Sequence, residues 1–168
     1  MSSPKPSSKT STKPVLLDEC FILENAIVDM NQHAEDARRA FDRQDIVQGI
    51  EYLSLVCQYL RTTALSPDLY NELWQNATET LMQFEPIFDD IDSQSIPGGG
   101  QSKISLELLH EAAQYCADII PRLYLTITVT ASLIKTCRVS CKALLFDTTE
   151  LCRGVQLPIH GLFLRNYL

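Results

Sequence analysis

The stretch that decides the fold, residues 119–130, has the sequence IIPRLYLTITVT, with a proline and an arginine inside an apolar run. Beyond Pro121, apolar residues alternate with polar ones, which by itself indicates a β-strand. The same segment also has helical spacing, because Leu123, Ile127 and Ala131 lie four residues apart. A lone strand in an otherwise helical chain would leave its backbone groups unpaired. We therefore predict a helix, which Pro121 either starts or interrupts with a step.

The remaining segments are predicted to be helical from apolar residues spaced three and four apart. In chain order these helices are expected near 16–41, 46–64, 67–88, 103–120, 141–153 and 158–168. Ser66-Pro67-Asp68 has the form of a helix start, Pro86 is expected to kink or end a helix, and Gly154 fits just past another. Helices joined by short turns predict an all-α fold, an α-solenoid of antiparallel HEAT-like helical hairpins.

Each predicted helix also has a predicted buried face. The first stripe comprises Leu16, Cys20, Leu23, Ile27, Met30, Ala34, Ala37 and Phe41, and the second is widened by Val47, Leu55, Val56 and Tyr59. The helix before Pro121 is expected to bury Ile104, Leu108, Ala112, Tyr115 and Ile119, and the helix at 141–153 Leu144, Leu145, Thr148 and Leu151. The last helix ends with Leu162, Phe163 and Tyr167 uncovered, as expected of a fragment that lacks its next helix.

The charge of the 168-residue chain is uneven. Its net charge is −7, and Lys5, Lys9 and Lys13 with no acid give residues 1–14 a charge of +3, which leaves −10 for the rest. We expect residues 1–14 to be a disordered basic leader and 15–168 to be the helical scaffold, with a flexible loop at 92–102 around Gly98-Gly99-Gly100. An acidic body repels phosphate backbones, so binding of nucleic acid is not expected.

Candidate chemistry is sparse. The histidines His33, His110 and His160 fall on different predicted helices, and no catalytic or phosphate-binding motif accompanies them, so we expect no enzyme and no cofactor. The six cysteines (Cys20, Cys57, Cys116, Cys137, Cys141 and Cys152) are expected to be reduced core residues of a cytosolic protein. One alternative is a small all-α metal- or cofactor-binding protein that uses Cys137 and Cys141, although no partner pair has the required spacing and no metal site is predicted.

Arg122 and Tyr124 are the strongest candidates for a binding role. Arginine and tyrosine are enriched at the hot spots of protein interfaces, and here they lie side by side behind a proline. A structural role is equally open, with Arg122 capping carbonyls of the preceding helix and Tyr124 half-buried in the core. The same two interpretations apply to Arg153 and Arg165.

Several of these motifs are familiar as a set. The long ones are Ile119 to Leu125, Cys152 to Gln156 and Gly161 to Leu168, and the shorter ones are Ile127-Thr128-Val129, Pro158, Leu16 to Glu19 and Leu60 to Pro67. Together they resemble the N-terminal region of the family of large retromer subunits, vacuolar protein sorting-associated protein 35. The resemblance covers nearly all of the chain beyond Pro14. The glycine-rich loop, the basic leader, Leu157 and Ile159-His160 depart from the family pattern.

The resemblance implies an α-solenoid without enzymatic activity. Retromer sorts cargo from endosomes toward the trans-Golgi network or the plasma membrane, so the implied location is cytoplasmic and peripheral on endosomal membranes. This end of the family's subunit holds the arrestin-like retromer subunit, vacuolar protein sorting-associated protein 26, through a motif that falls on Pro121, Arg122, Leu123, Tyr124 and Leu125. Sorting nexins, cargo tails and a late-endosomal Rab GTPase are also associated with this region, and membrane association would be indirect.

Overall fold

The computed structural model describes residues 13–93, 105–136 and 140–168, and within these ranges every regular element is a helix. In chain order the elements are α1 (Lys13–Asp42), α2 (Ile46–Gln58), a 3₁₀ turn (Tyr59–Arg61), α3 (Pro67–Met82), α4 (Glu85–Ser93), α5 (Leu106–Gln114), α6 (Ile119–Lys135), α7 (Cys141–Arg153) and α8 (Pro158–Tyr167). Helices α1 and α2, α5 and α6, and α7 and α8 pack against each other as pairs. The predicted all-α fold is therefore confirmed.

Helix α6 resolves the conflict between strand and helix in favour of the helix. It begins two residues before Pro121, so the missing N–H of the proline falls among the first-turn donors that have no partner within a helix. Nearly every residue from Ile120 to Leu133 is buried, because α2, α4, α5, α7 and α8 surround this helix. A helix that is enclosed on all sides needs no polar face, which explains why its sequence lacks a clear helical stripe.

Several predicted boundaries were wrong. Helix α1 starts at Lys13, inside the predicted leader, whereas residues 1–12 and most of the predicted loop lie outside the described ranges. The third helix ends at Met82 instead of continuing to residue 88. Pro86 lies in the first turn of the separate helix α4, where a proline is well tolerated.

Several predicted faces were also wrong. Helix α5 ends at Gln114 and buries Leu106, Leu109 and Ala113, so Leu108, Tyr115 and Ile119 are exposed. The break after Gln114 rotates the chain, and a face extrapolated through 120 therefore fails. On the other helices Val47, Leu55, Leu145 and Leu151 are exposed, as are Cys20 and Cys141 among the supposed core cysteines. Cys57 and Cys152 are buried as predicted, and Cys137 lies outside the described ranges.

The first helical pair is joined to α3 and α4 by a group of aromatic rings that we call the phenylalanine cluster: Phe41, Phe84 and Phe88. The ring of Phe41 lies 5.9 Å from that of Phe84 and 5.7 Å from that of Phe88, centroid to centroid. Gly49 of α2 allows this packing, because a Cβ atom there would lie 2.7 Å from the Phe41 ring. The close approach of α2 to the end of α1 thus depends on a missing side chain.

Candidate functional site

The predicted binding motif lies in the first two turns of α6, and most of it is buried. Leu123, Tyr124 and Leu125 are at most 2% exposed, and Pro121 is buried as well. Arg122 is the half-buried exception. The structure therefore makes Leu123, Tyr124 and Leu125 part of the protein's own core, which differs from the expectation that they form a packing surface for a partner.

Tyr124 belongs to a second group of rings that joins α3, α6 and α8. We call it the mixed aromatic cluster, and it consists of Tyr70, Trp74, Tyr124, His160, Phe163 and Tyr167. Four pairs of these rings are in contact, with centroids 5.1 to 5.7 Å apart. One of them is the pair of Tyr124 and Tyr167, at 5.1 Å. Two of the long motifs that carry the family resemblance, at 119–125 and 161–168, therefore pack directly against each other. This contact fixes α8 on α6.

The polar atoms of the mixed aromatic cluster are unequally satisfied. The Tyr70 hydroxyl donates to the Leu60 carbonyl at 2.8 Å. The Thr128 hydroxyl donates to the Tyr124 carbonyl and lies 2.8 Å from the Tyr167 hydroxyl, so Tyr167 is the donor of that second bond. Within the described residues, the hydroxyl oxygen of Tyr124 and the indole nitrogen of Trp74 are buried without a hydrogen-bond partner.

Burial also changes the acidity of these tyrosines. It raises the pKa of Tyr70, Tyr124 and Tyr167 above the ordinary value near 10. The Thr128 hydroxyl acts in the opposite direction on the pKa of Tyr167, and the nearby Trp74 indole N–H, which does not reach hydrogen-bonding geometry, does so on the pKa of Tyr124. All three therefore stay protonated and neutral at physiological pH, which suits a structural role.

Helix α6 is anchored at its start by Asp118. One carboxylate oxygen, Oδ2, accepts a hydrogen bond from Gln58 Nε2 at 2.9 Å. The same oxygen forms an ion pair with Arg61 Nη1, also at 2.9 Å. Asp118 occupies the N-cap position of α6 but makes no side-chain capping bond. An acid here is still favourable, since the N-terminus of a helix carries a partial positive charge. The result is a polar junction between the end of α2 and the start of α6.

Arg122 lies beside this junction and opens into a cleft of about 420 Å³. The cleft is lined by Gln114, Ile119, Arg122, Leu123, Thr126 and Leu151. No acidic side chain of the described ranges lies within ion-pair distance of Arg122, and its guanidinium caps no carbonyl there, so the capping role is not observed. The Arg122 charge acts to lower the pKa of Cys116, against the larger effect of burial, which raises it.

A second cleft of about 400 Å³ adjoins the first through their shared residue Ile119, and Leu157 and His160 also line it. His160 is buried, with Nε2 3.2 Å from the Thr62 carbonyl oxygen. Apolar side chains that are about half exposed flank Arg122 at these clefts, and Arg61, which is paired with Asp118, also lines the second cleft. Ile119 is 48% exposed, Leu151 52% and Leu157 49%. We call these three residues and Arg122 the Arg122 surface.

The other two arginines singled out from the sequence lie elsewhere on α7 and α8. Arg153 is exposed and pairs with Glu150 one turn earlier in the same helix. Arg165 is exposed, and its guanidinium lies against Gly161, where an added Cβ atom would be 3.3 Å from a guanidinium nitrogen. Both arginines make local contacts, and neither lines the clefts beside Arg122. A binding role for Arg153 or Arg165 stays a prediction.

The alternative of a metal-binding protein receives no positive observation. Cys141 is exposed at the start of α7, and Cys137 falls outside the described residues. In the described ranges, no group of three or more His, Cys, Asp or Glu side chains is placed to hold a metal ion. None of the helices described there has both the length and the hydropathy that a membrane span requires.

Sequence reasoning missed the polar junction at the start of α6. Gln58, Arg61 and Asp118 are separated by up to 60 residues in the sequence. Each is a residue type that is common on protein surfaces, so none stands out on its own. One local signal was available, because an aspartate just before an apolar helix is a typical N-cap. The pairing of that aspartate with α2 depends on how two helices cross, and no local pattern encodes it.

Comparison with known proteins supplies an independent finding. The family model described as vacuolar protein sorting-associated protein 35 matches residues 22–168. Vacuolar protein sorting-associated protein 35B from Arabidopsis thaliana is 36% identical to this chain over 151 residues, which cover 90% of this chain and 18% of the relative. The Dictyostelium discoideum protein is 36% identical over 129 residues (77% and 15%), and the Schizosaccharomyces pombe protein 30% over 146 residues (87% and 17%). The chain thus spans less than a fifth of these curated relatives.

Proposed function

The chain belongs to the family of vacuolar protein sorting-associated protein 35, and from this premise we propose that it is a non-enzymatic scaffold segment of retromer. The names of its relatives describe a role in vacuolar protein sorting. The all-helical fold of the described residues is suited to holding other proteins. The partner proposed for this segment is the arrestin-like retromer subunit.

The single observation that carries this proposal is Arg122 in an apolar setting, where no acidic side chain of residues 13–93, 105–136 or 140–168 pairs with it. Buried arginines normally find a carboxylate, because their five donors are costly to leave without partners. Here the guanidinium opens into a cleft beside the exposed side chains of Ile119 and Leu151. An arginine framed by apolar side chains has the composition of an interface hot spot. An acidic group of the partner, flanked by apolar residues, would complement it.

The buried members of the motif have a supporting role in this proposal. Leu123 and Leu125 anchor α6 in the core, and Tyr124 packs on Tyr167 of α8. Their packing holds the first turn of α6 in one position, so that Arg122 is presented on a rigid element. A change at these positions would therefore weaken binding by loosening the fold. This separates the motif into one contacting residue and several that position it.

Other assignments rest on the family alone. We propose that the full protein is cytoplasmic and peripheral on endosomal membranes, and that it helps to select cargo for endosome-to-Golgi and recycling transport. Sorting nexins, cargo tails and a late-endosomal Rab GTPase are further proposed partners of this region. The Arg122 surface supports the proposed contact with the arrestin-like subunit and none of these further ones.

Isothermal calorimetry of Arg122→Ala against the purified arrestin-like subunit tests the proposal. A hot-spot arginine contributes at least about 2 kcal/mol, so we expect a loss of affinity of roughly thirtyfold or more. Thermal denaturation of the same variant checks the fold. Because Arg122 is half-buried and makes no ion pair, its removal should change the melting temperature little.

Arg39→Ala is the matched control, since it removes one exposed arginine of α1 that pairs only with Asp36 in the described residues. It should leave the affinity unchanged. Equal affinities for Arg122→Ala and Arg39→Ala, with both variants folded, would reject a direct role of Arg122. A large fall in the melting temperature of Arg122→Ala together with lost affinity would instead assign Arg122 a structural role.

A further inference from the structure

Arg122 has a neighbour that would be expected to pair with it. Asp118 precedes it by four residues. The backbone N–H of Arg122 donates to the backbone carbonyl of Asp118 at 3.1 Å, so the two residues share the first turn of α6. Opposite charges four residues apart in a helix normally attract each other. Yet the Asp118 carboxylate is bonded to Gln58 and Arg61 instead.

The backbone gives the Asp118 carboxylate few other options. An N-cap side chain usually accepts from the N–H of the second or third helical residue. In α6 the third residue is Pro121, which has no N–H, so only the N–H of Ile120 remains as a capping donor. If Gln58 and Arg61 released the carboxylate, it would become free to pair with Arg122, which lies one helical turn further along the chain. Pairing with it would neutralise the charge of the Arg122 surface.

We propose that Gln58 and Arg61 act as positioning residues, which hold the Asp118 carboxylate away from Arg122 and keep its guanidinium available to an acidic group of the partner. This inference rests on the proposed function of Arg122. It extends that function by assigning a role to three residues outside the binding motif. The availability of Arg122 then depends on the crossing of α2 and α6, which brings Gln58 and Arg61 to Asp118.

The first test is a charge-rescue series measured by calorimetry with the arrestin-like subunit. Arg61→Ala should free Asp118 to pair with Arg122 and weaken binding about two- to fivefold, the range expected for a competing surface ion pair. Adding Asp118→Asn to Arg61→Ala removes the competing charge and should restore the affinity. Arg39→Ala again serves as the control for the loss of one exposed arginine.

The rescue distinguishes positioning of charge from simple loss of structure. If Arg61→Ala weakened binding by loosening α6, then Asp118→Asn, which can only weaken the remaining bond to Gln58 by removing the charge of its acceptor, could not restore it. A loss without rescue would therefore overturn the inference. An Arg61→Ala variant that binds as tightly as the unmodified chain would overturn it as well.

A second readout does not depend on the partner. The Nε–H resonance of Arg122 in the free chain, followed by NMR, should shift in Arg61→Ala as the guanidinium pairs with Asp118, and should return in the double variant. If Arg122→Ala leaves binding intact but this shift appears, the proposed function fails and the inference about Asp118 holds. If the resonance does not move, the inference is wrong whatever the affinities show.

Discussion

The phenylalanine cluster and the mixed aromatic cluster do the same task with different chemistry. Phe41, Phe84 and Phe88 join the first helical pair to α3 and α4 through apolar rings alone. The mixed aromatic cluster joins α3, α6 and α8 and buries hydroxyl groups, an indole and an imidazole with its rings. The comparison shows that the part of the fold that supports Arg122 depends on polar geometry, because the buried hydroxyls of Tyr70 and Tyr167 each need an acceptor in a fixed place.

The polar cluster also couples distant segments more specifically. A hydrogen bond from Tyr167 to Thr128 requires one register of α8 on α6, whereas apolar rings tolerate small shifts. The phenylalanine cluster therefore supplies mainly stability. The mixed aromatic cluster fixes the position of α6, on which the proposed interface lies. Three measurements would break or sharpen this distinction.

The largest expected effect is on the phenylalanine cluster. Phe84→Ala removes a fully buried ring that contacts Phe41 and Phe88 and lies under the Arg38 guanidinium at 5.4 Å. It should lower the free energy of unfolding by about 3–5 kcal/mol, measured by urea denaturation. Phe21→Ala, at a ring that is 65% exposed, is the control and should change it by less than about 0.5 kcal/mol. Similar losses for the two variants would contradict the assigned core.

The next effect separates the clusters by pH. The folded chain raises the pKa of Tyr124 and Tyr167, so above pH 10 the unfolded chain gives up protons that the folded chain keeps. This contribution to stability is complete below pH 10 and is lost as the pH rises above it, by about 1.4 kcal/mol per pH unit for each tyrosine. Urea denaturation at several pH values between 9 and 11 measures the slope.

The control for the pH series is the double variant Tyr124→Phe with Tyr167→Phe, which removes two of the three titrating phenols of the mixed aromatic cluster, leaves Tyr70, and should reduce the slope. Phenylalanine rings do not titrate, so the phenylalanine cluster contributes nothing to this dependence. An unchanged slope in the double variant would show that the two phenols do not control alkaline stability.

The smallest effect lies within the mixed aromatic cluster. Tyr167→Phe removes the hydrogen bond to Thr128 and should cost about 1 kcal/mol of unfolding free energy. Tyr124→Phe removes a buried hydroxyl that has no partner among the described residues, so stability should stay constant or rise slightly. Urea denaturation of the two single variants gives the order. A larger loss for Tyr124→Phe would mean that its hydroxyl has a partner, with Trp74 the nearest candidate.

The sequence was sufficient where a residue acts on its own stretch of backbone. The helix start at Ser66-Pro67-Asp68 and the end of α7 before Gly154 were placed correctly, because these signals are local. The helical nature of 119–135 was also predicted, but only by excluding an unpaired strand. Proline was harder to place, since Pro86 starts a helix that the apolar spacing had merged with the one before it.

The sequence predicted only part of the candidate site. Arg122 stands out by its residue type and its apolar neighbours, and the structure places it at the cleft edge. Leu123, Tyr124 and Leu125 looked equally suited to a partner, yet they are core residues. Apolar residues on a helix indicate that something covers them. They do not indicate whether the cover is the same chain or another protein.

The sequence by itself determined that the chain is helical, where most helices begin, and which family it belongs to, because propensities, caps and long motifs act over a few residues. Only the tertiary structure decided which faces are buried, that Tyr124 meets Tyr167, and that Asp118 binds Gln58 and Arg61. Those contacts join residues about 40 to 60 positions apart. They depend on how helices cross, and that crossing is set by the packing of the whole core.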